Sequence, residues 1–255
     1  MQEFFDPDPN SLLKPHNLVR CLTLGGLKRN SLEVQRKVLL VFTEPDLKRA
    51  AKLGSGRAQI GWRPYRRLYR CEGFTLALSP IGAPNVVALA EELFAFGGRI
   101  FVLFGYCGAL FEEMQGGDVL LPVEALREEG TSYHYLPPDE RALASEELVR
   151  YLKTFFRKGG LEPHIGKVWT TDAIYRETRE KIRRYKTMGY AAVEMETSAL
   201  FSWASARGVR AGSVLVVSDR FIEEQWVPYF GHPRFVMGRR KALGLTVGAL
   251  KELCP

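Results

Sequence analysis

Short apolar runs alternate along this chain with segments in which apolar residues recur at helical spacing. Buried strands are predicted for the apolar runs at 38–43, 74–79, 99–104, 118–122, 165–170 and 211–218. Helices are predicted for the periodic segments at 47–53, 86–96, 176–188, 196–207 and 237–253. This alternation indicates a three-layer α/β fold, in which a largely parallel or mixed β-sheet is covered by helices on both faces.

No internal repeat, low-complexity tract or linker divides the 255 residues of the chain. We therefore predict a single domain over residues 1–255, in which residues 1–30 form an N-terminal extension. The segment 128–141 contains one glycine and two prolines, and it is predicted to be an insertion within the domain rather than a boundary.

The composition, with 46% hydrophobic and 25% charged residues, is typical of a soluble globular protein. No apolar run approaches the roughly eighteen residues of a membrane span, and the acidic start at residues 1–6 is unlike a signal peptide. The four cysteines lie far apart, without the spacing of a zinc site or a disulfide framework (Cys21, Cys71, Cys107 and Cys254). We expect a cytoplasmic protein with reduced thiols, no membrane contact and no bound metal.

The formal net charge of +7 favours a negatively charged partner, either a nucleic acid or a small anion such as phosphate. The densest basic segment is 57–70, where aromatic residues stand between arginines as in some single-strand-binding surfaces. No RRM, KH or helix-turn-helix signature accompanies it. We therefore predict a solvated edge strand or hairpin at 57–70, and no nucleic-acid partner.

Two short motifs carry the candidate chemistry. Glu194, Met195 and Glu196 open what is predicted to be an amphipathic helix, and Ser218 and Asp219 close a buried strand further along. Open α/β sheets bind their ligands at the C-terminal ends of strands, which is where Asp219 falls. A Met beside a Glu suits a ligand with an apolar face and a hydroxylated edge, such as a ribose. Glu194 is expected to be a structural or solvated carboxylate.

The pair of motifs resembles the nucleoside phosphorylase and nucleosidase superfamily, in which a Met-Glu pair holds the ribose and a Ser-Asp pair addresses the base. Further segments are similar to that family in the same order along the chain: the turn at 82–84, the glycine-rich segment 104–110, and 169–175, which lines the base pocket. By this resemblance Ile174 and Tyr175 contact the base.

The resemblance also implies a role for each of the other site residues. Glu196 accepts hydrogen bonds from ribose hydroxyls, and these bonds strengthen as positive charge develops on the sugar. Met195 packs against the apolar face of the sugar. Asp219, oriented by Ser218, gives a proton or a hydrogen bond to the base, for which it has to be protonated at neutral pH. His16 resembles the histidine of hexameric members that reaches the ribose of a neighbouring subunit, which implies a homo-oligomer between a dimer and a hexamer.

The phosphate site of the family is altered in this chain. Phosphorylases place an Arg and a hydroxyl residue on either side of the first glycine of the glycine-rich segment, and here Leu103 and Tyr106 stand at those positions around Gly105. A dianion needs guanidinium and backbone donors. Lys48, Arg49 or an arginine of the 57–70 segment is the candidate replacement, either within one subunit or across a subunit interface.

Water is the alternative acceptor, activated by Glu44 or Asp46, because a carboxylate of the first loop has that role in the nucleosidases of the superfamily. We expect phosphorolysis of a ribonucleoside to free base and ribose 1-phosphate, with inorganic phosphate as co-substrate and no cofactor, because most relatives react in this way. Hydrolysis and non-catalytic nucleoside binding remain the two alternatives. Asp219 favours a purine, and the choice between purine and pyrimidine stays open.

Overall fold

The computed structural model describes residues 4–8, 10–23, 32–222 and 225–254. Seven α-helices lie in these ranges: α1 (Pro15–Leu22), α2 (Glu44–Leu53), α3 (Ala83–Ala95), α4 (Glu146–Lys158), α5 (Arg179–Thr187), α6 (Thr197–Arg207) and α7 (Pro233–Glu252). Eleven strands lie between them: β1 (Lys37–Val41), β2 (Arg57–Ala58), β3 (Leu68–Arg70), β4 (Thr75–Leu78), β5 (Ile100–Ala109), β6 (Val119–Glu128), β7 (Ala142–Leu143), β8 (His164–Thr171), β9 (Tyr190–Glu194), β10 (Arg210–Ile222) and β11 (Gln225–Pro228).

The long strand β5 organises a mixed sheet. Along one edge β5 pairs in parallel with β10, and along the other edge it pairs first with β1 and then, at Gly108 and Ala109, with β9. Because β10 also pairs with β6, and β6 connects through β8 to β9, five strands close into a ring. Strands β4, β3 and β2 extend the sheet beyond β1. The C-terminal ends of β1, β5, β9 and β10 therefore meet in one place.

Helices cover both faces of this sheet, as the alternating pattern predicts. One face buries apolar side chains of α3 and α6, among them Leu89 and Leu200. The other face buries side chains of α2, α4 and α7, among them Leu47, Leu152 and Leu250. The three-layer α/β prediction is thus confirmed, and the predicted hairpin at 57–70 is formed by β2 and β3.

Strand β9 was not expected from the sequence pattern. Its residues run directly into those of α6, so the two elements resemble one long apolar segment, and the strand is defined by its pairing with β5 and β8. Helix α6 is also not amphipathic, because its first eight residues are all buried between the sheet and α3. Glu194 therefore ends a strand, and Met195 and Glu196 form the turn before the helix. The glycine-rich segment 104–110 lies almost wholly within β5 and not in a loop.

Of the predicted N-terminal extension, residues 1–3, 9 and 24–30 lie outside the described ranges. The four cysteines are free thiols, two buried and two exposed. Within the described ranges, the helices lack the combination of length and apolar character that crossing a bilayer requires.

Candidate active site

A cavity of about 510 Å³ lies where the C-terminal ends of β1, β5, β9 and β10 meet. Each of these strands, or the residues that follow it, contributes to its lining. Together with the loops that border it, the cavity is lined by Phe42, Thr43, Ile81, Tyr106, Cys107, Gly108, Ile174, Tyr175, Glu177, Val193, Glu194, Met195, Glu196, Ser218, Asp219, Phe221, Trp226 and Phe230.

Glu194 holds the junction between β9 and α6 in shape. Its buried carboxylate accepts hydrogen bonds from the hydroxyls of Thr170 (2.5 Å) and Thr197 (2.9 Å), and from the backbone N–H groups of Glu196 and Thr197 (both 2.8 Å). These N–H groups belong to the start of α6, where a helix leaves its donors unpaired and favours a negative charge. Met195 and Glu196 are thereby fixed facing the cavity.

Glu196 is only 7% exposed, and its Oε1 accepts a hydrogen bond of 2.5 Å from the backbone N–H of Gly82. Gly82 has a φ of +103°, which side-chain-bearing residues rarely adopt. Burial, and after it the charge of Glu194, raises the pKa of Glu196 to about 8, and burial also raises the pKa of Glu194. Glu194 accepts from four donors at the start of α6, so Glu194 carries the negative charge and Glu196 holds the proton. Hydrogen-bond donors of a bound ligand favour the ionised form of Glu196.

Asp219 lies opposite, at the end of the buried part of β10. Its Oδ1 accepts a hydrogen bond of 2.6 Å from the Ser218 hydroxyl, and its Oδ2 accepts one of 2.9 Å from the indole N–H of Trp226 on β11. A Cβ at Gly108 would stand 2.8 Å from Asp219 Oδ2 and 3.1 Å from the ring of Phe221. Because Gly108 has no Cβ, Asp219 can approach the cavity.

The side of the cavity around Asp219 is more aromatic than the sequence indicated. Ile174 and Tyr175 line its edge and are 51% and 96% exposed. Phe221, Trp226 and Phe230 also line it, and the first two face each other across the pairing of β10 with β11. Sequence reasoning missed these three aromatic residues. The available signal was the presence of these three aromatic residues within eleven positions after Asp219.

Asp46 stands behind the opposite side of the cavity. It is 2% exposed, it accepts a hydrogen bond of 2.7 Å from the Thr43 hydroxyl, and it also accepts one from the Tyr106 hydroxyl. Arg239 of α7 places Nε 3.6 Å from Asp46 Oδ1 and donates through Nη1 to the Tyr106 oxygen at 3.3 Å. Burial, and then the charge of Asp46, raises the pKa of Tyr106 to about 12. No pattern in the sequence pointed to Arg239, which is distant along the chain.

The structure brings together most of the predicted site residues. Seven of them line the cavity: Tyr106, Ile174, Tyr175, Met195, Glu196, Ser218 and Asp219. Five others do not appear in the lining: His16, Glu44, Lys48, Arg49 and Gly105.

These five residues lie in different surroundings. Lys48 and Arg49 are exposed on the outer side of α2, and Gly105 is buried within β5. Glu44 is half-exposed, forms an ion pair with Arg67 and lines a neighbouring cleft. His16 is exposed on α1, with its ring centroid 4.7 Å from that of Phe96.

Sequence comparison assigns the chain to a known family. The sequence model of the Phosphorylase superfamily matches residues 36–227, which include the cavity-lining residues of β5, β9 and β10. The chain belongs to this superfamily. The match begins just before β1 and ends within β11, so it covers most of the sheet.

Among curated relatives in the superfamily, the chain is 30% identical over 148 residues to a guanosine phosphorylase of Halorubrum lacusprofundi, covering 58% of this chain and 61% of that one. It is 31% identical over 159 residues to a uridine phosphorylase of Haemophilus influenzae, covering 56% and 63%. A DeoD-type purine nucleoside phosphorylase of Bacillus cereus is 31% identical over 141 residues, covering 54% and 60%. The chain thus spans about three fifths of the length of the curated relatives it matches.

Two solved structures share the fold. A purine nucleoside phosphorylase from Toxoplasma gondii in complex with immucillin-H superposes with a TM-score of 0.76 at 21% identity, covering 87% of this chain and 92% of that one. An AMP nucleosidase from Bacteroides thetaiotaomicron superposes with a TM-score of 0.71 at 23% identity, covering 90% and 96%. These similarities agree with the three-layer fold of the superfamily member described here.

Proposed function

We propose that this superfamily member cleaves the N-glycosidic bond of ribonucleosides. The observation that carries the proposal is the single cavity between Met195-Glu196 on one side and Ser218-Asp219 on the other. The names of the similar curated proteins, which are guanosine, uridine and purine nucleoside phosphorylases, support the same reaction class.

The geometry suits the charge that develops in this reaction. Breaking the bond leaves positive charge on the ribose and negative charge on the base. Glu196 is held by Gly82 with its carboxyl facing the cavity, where it accepts hydrogen bonds from ribose hydroxyls and stabilises the cationic sugar. Met195 contacts the apolar face of the sugar, and the aromatic residues beside Asp219 enclose the base.

The charge of the cavity bears on the acceptor. Four carboxyl groups line it, and its lining, as far as the structure describes the chain, contains no Lys or Arg. A phosphate dianion would lie beside these carboxyl groups without a cation to compensate its charge. Arg239 lies behind Tyr106 and is already paired with Asp46. These observations favour water over the phosphate that the resemblance suggested, with Asp46 receiving the proton of water through the Thr43 or Tyr106 hydroxyl.

A panel of purine and pyrimidine ribonucleosides, assayed with and without phosphate, tests both proposals. We expect release of free base, with free ribose formed at the full rate in the absence of phosphate. A strict phosphate requirement with ribose 1-phosphate as the sugar product would establish phosphorolysis instead. Nucleoside binding without release of base, measured by calorimetry on the same samples, would leave the non-catalytic binding protein as the function.

We also propose a homo-oligomer in which His16 completes the site of a neighbouring subunit. His16 does not line the cavity of its own chain, and its exposed position on α1 leaves it available to a partner. Glu196→Gln and His16→Ala proteins are each expected to have little activity, and mixing them should restore part of it. The mixed oligomer would contain sites with Glu196 from one subunit and His16 from the other. Absence of recovery, in subunits shown by mass spectrometry to exchange, contradicts the shared site.

The basic 57–70 segment is not proposed to bind a nucleic acid, because arginines of this segment form ion pairs within the chain. Arg66 pairs with Glu92 at 2.8 Å, and Arg67 pairs with Glu44. Ion pairs of this kind reduce the positive charge that a phosphate backbone would meet. A cytoplasmic location, expected from the reduced thiols, is part of the same proposal.

A further inference from the structure

Asp219 is poorly placed to protonate a departing base. Its Oδ2 accepts from the indole N–H of Trp226, a group that can only donate, and its Oδ1 lies 2.6 Å from the Ser218 hydroxyl. Both oxygens are therefore engaged by protein groups. An indole N–H can only donate, so this arrangement holds Asp219 as a hydrogen-bond acceptor.

A second carboxyl group faces the same side of the cavity. Glu177 follows the short 3₁₀ turn Ile174–Arg176, precedes α5 and lines the cavity with its side chain partly buried. It forms no hydrogen bond with any residue in the ranges that the structure describes. The sequence pattern did not single it out, because it lies in a run of charged residues typical of a solvated helix start.

The charged groups around Glu177 come from three elements. Asp219 of β10 and Glu128 of β6 are negative, and Lys181 of α5 is positive. Lys181 forms an ion pair with Glu128, in which Nζ lies 2.8 Å from Oε1. Burial, followed by the charges of Asp219 and Glu128, raises the pKa of Glu177 to about 7, while Lys181 opposes the rise. Near neutral pH the carboxyl group therefore both holds and releases a proton, as a general acid requires.

We propose that Glu177, rather than Asp219, is the acid that protonates the leaving base. This rests on the proposed function. The Glu177 O–H bond breaks and its proton moves to a ring nitrogen of the base, while the electron pair of the C1′–N bond passes to the base. The oxygen of water bonds to C1′ and loses a proton to Asp46 through the Thr43 or Tyr106 hydroxyl. Asp46 then releases a proton to solvent, and Glu177 takes one up from solvent, which restores both groups. Asp219 serves as an acceptor for an N–H of the base.

The test compares Glu177→Gln with wild type on guanosine and on 7-methylguanosine, whose base already carries the positive charge and leaves without a proton. General acid catalysis contributes roughly 10²- to 10⁴-fold, so the variant should lose at least about 100-fold in kcat on guanosine and less than about threefold on 7-methylguanosine. If the panel gives a pyrimidine as substrate, the corresponding pair is uridine and 4-nitrophenyl β-ribofuranoside. Equal losses on both members of a pair would overturn the role of Glu177.

The pH profile gives an independent readout. The protonated form is the active one, so kcat of wild type on guanosine should fall as the pH rises past the pKa of Glu177, which is about 7 in the ligand-free protein. That decline should be absent from Glu177→Gln. Glu180→Gln, at an exposed position of α5, is the matched control and should behave as wild type.

The outcomes separate this inference from the proposed function. If wild type releases no base from any nucleoside, the proposed function fails. If wild type releases base and Glu177→Gln does so equally well with the same pH profile, only the assignment of the acid is wrong.

Discussion

Glu196→Gln is expected to lower kcat on the best nucleoside roughly 10- to 100-fold or more, because a hydrogen bond to a charged group contributes about 1.5–3 kcal/mol and Glu196 meets several sugar hydroxyls as the cation forms. The amide has the shape of the carboxyl group and still accepts from the N–H of Gly82. It lacks the negative charge that strengthens these bonds in the transition state. Steady-state turnover with free-base detection measures the effect, and turnover of the variant at the wild-type rate would contradict this role of Glu196.

Measuring the stability of the same variant distinguishes a loss of catalysis from a loss of folding. Because burial raises the pKa of Glu196 from its ordinary 4.5 to about 8, its contribution to folding is complete below pH 4.5 and is lost as the pH rises through about 8. Glutamine has no proton to lose. The Tm of Glu196→Gln at pH 9 should therefore equal or exceed that of wild type, measured by calorimetry. A lower Tm at that pH would mean that the variant loses activity by unfolding.

Asp46→Asn should slow the release of free ribose about 100-fold, in the range of general base catalysis, whereas Glu44→Gln should change it less than about threefold. The structure separates these two carboxylates of the first loop. Asp46 is buried and accepts from both hydroxyls that face the cavity, Thr43 and Tyr106. Glu44 is half-exposed and paired with Arg67 outside the cavity. The rates are measured without phosphate.

A double-variant cycle identifies the route of the proton. If Asp46 acts through Tyr106, then Tyr106→Phe should reduce the rate, and the double variant should lose little more than the larger single loss, because residues that act as a unit are not additive. Simple multiplication of the two losses would mean that Asp46 acts through Thr43 alone or has a separate effect. A loss in Glu44→Gln with none in Asp46→Asn would move the base to Glu44.

Local pattern predicted most of the elements that build the site. The apolar runs predicted β1 and the buried part of β10, although β10 continues to Ile222, and the start of α6 was predicted to within one residue. The pattern failed at β9, because Ala191 and Ala192 have no strong strand preference and the strand is stabilised by neighbours on both sides.

The acceptor side shows a different limit of sequence reasoning. Lys48 and Arg49 are near Asp46 in sequence, but the helical period of α2 turns them outward, and both are exposed. Arg239 reaches the same region from α7, at the other end of the chain. Proximity along the chain therefore indicated cations on the outer side of α2. The cation that reaches Asp46 comes from α7, through a tertiary contact.

By itself the sequence determined the layer architecture, the family and the two motifs that face each other, Met195-Glu196 and Ser218-Asp219, because these depend on the order of residues along the chain. Only the tertiary structure decided how each group is charged and engaged. Glu196 is buried beside Glu194, Trp226 engages Asp219, and Glu177 lines the cavity without a hydrogen bond to any other described residue. Protonation and hydrogen bonding follow from burial and from neighbours that folding brings together, so no local pattern carries them.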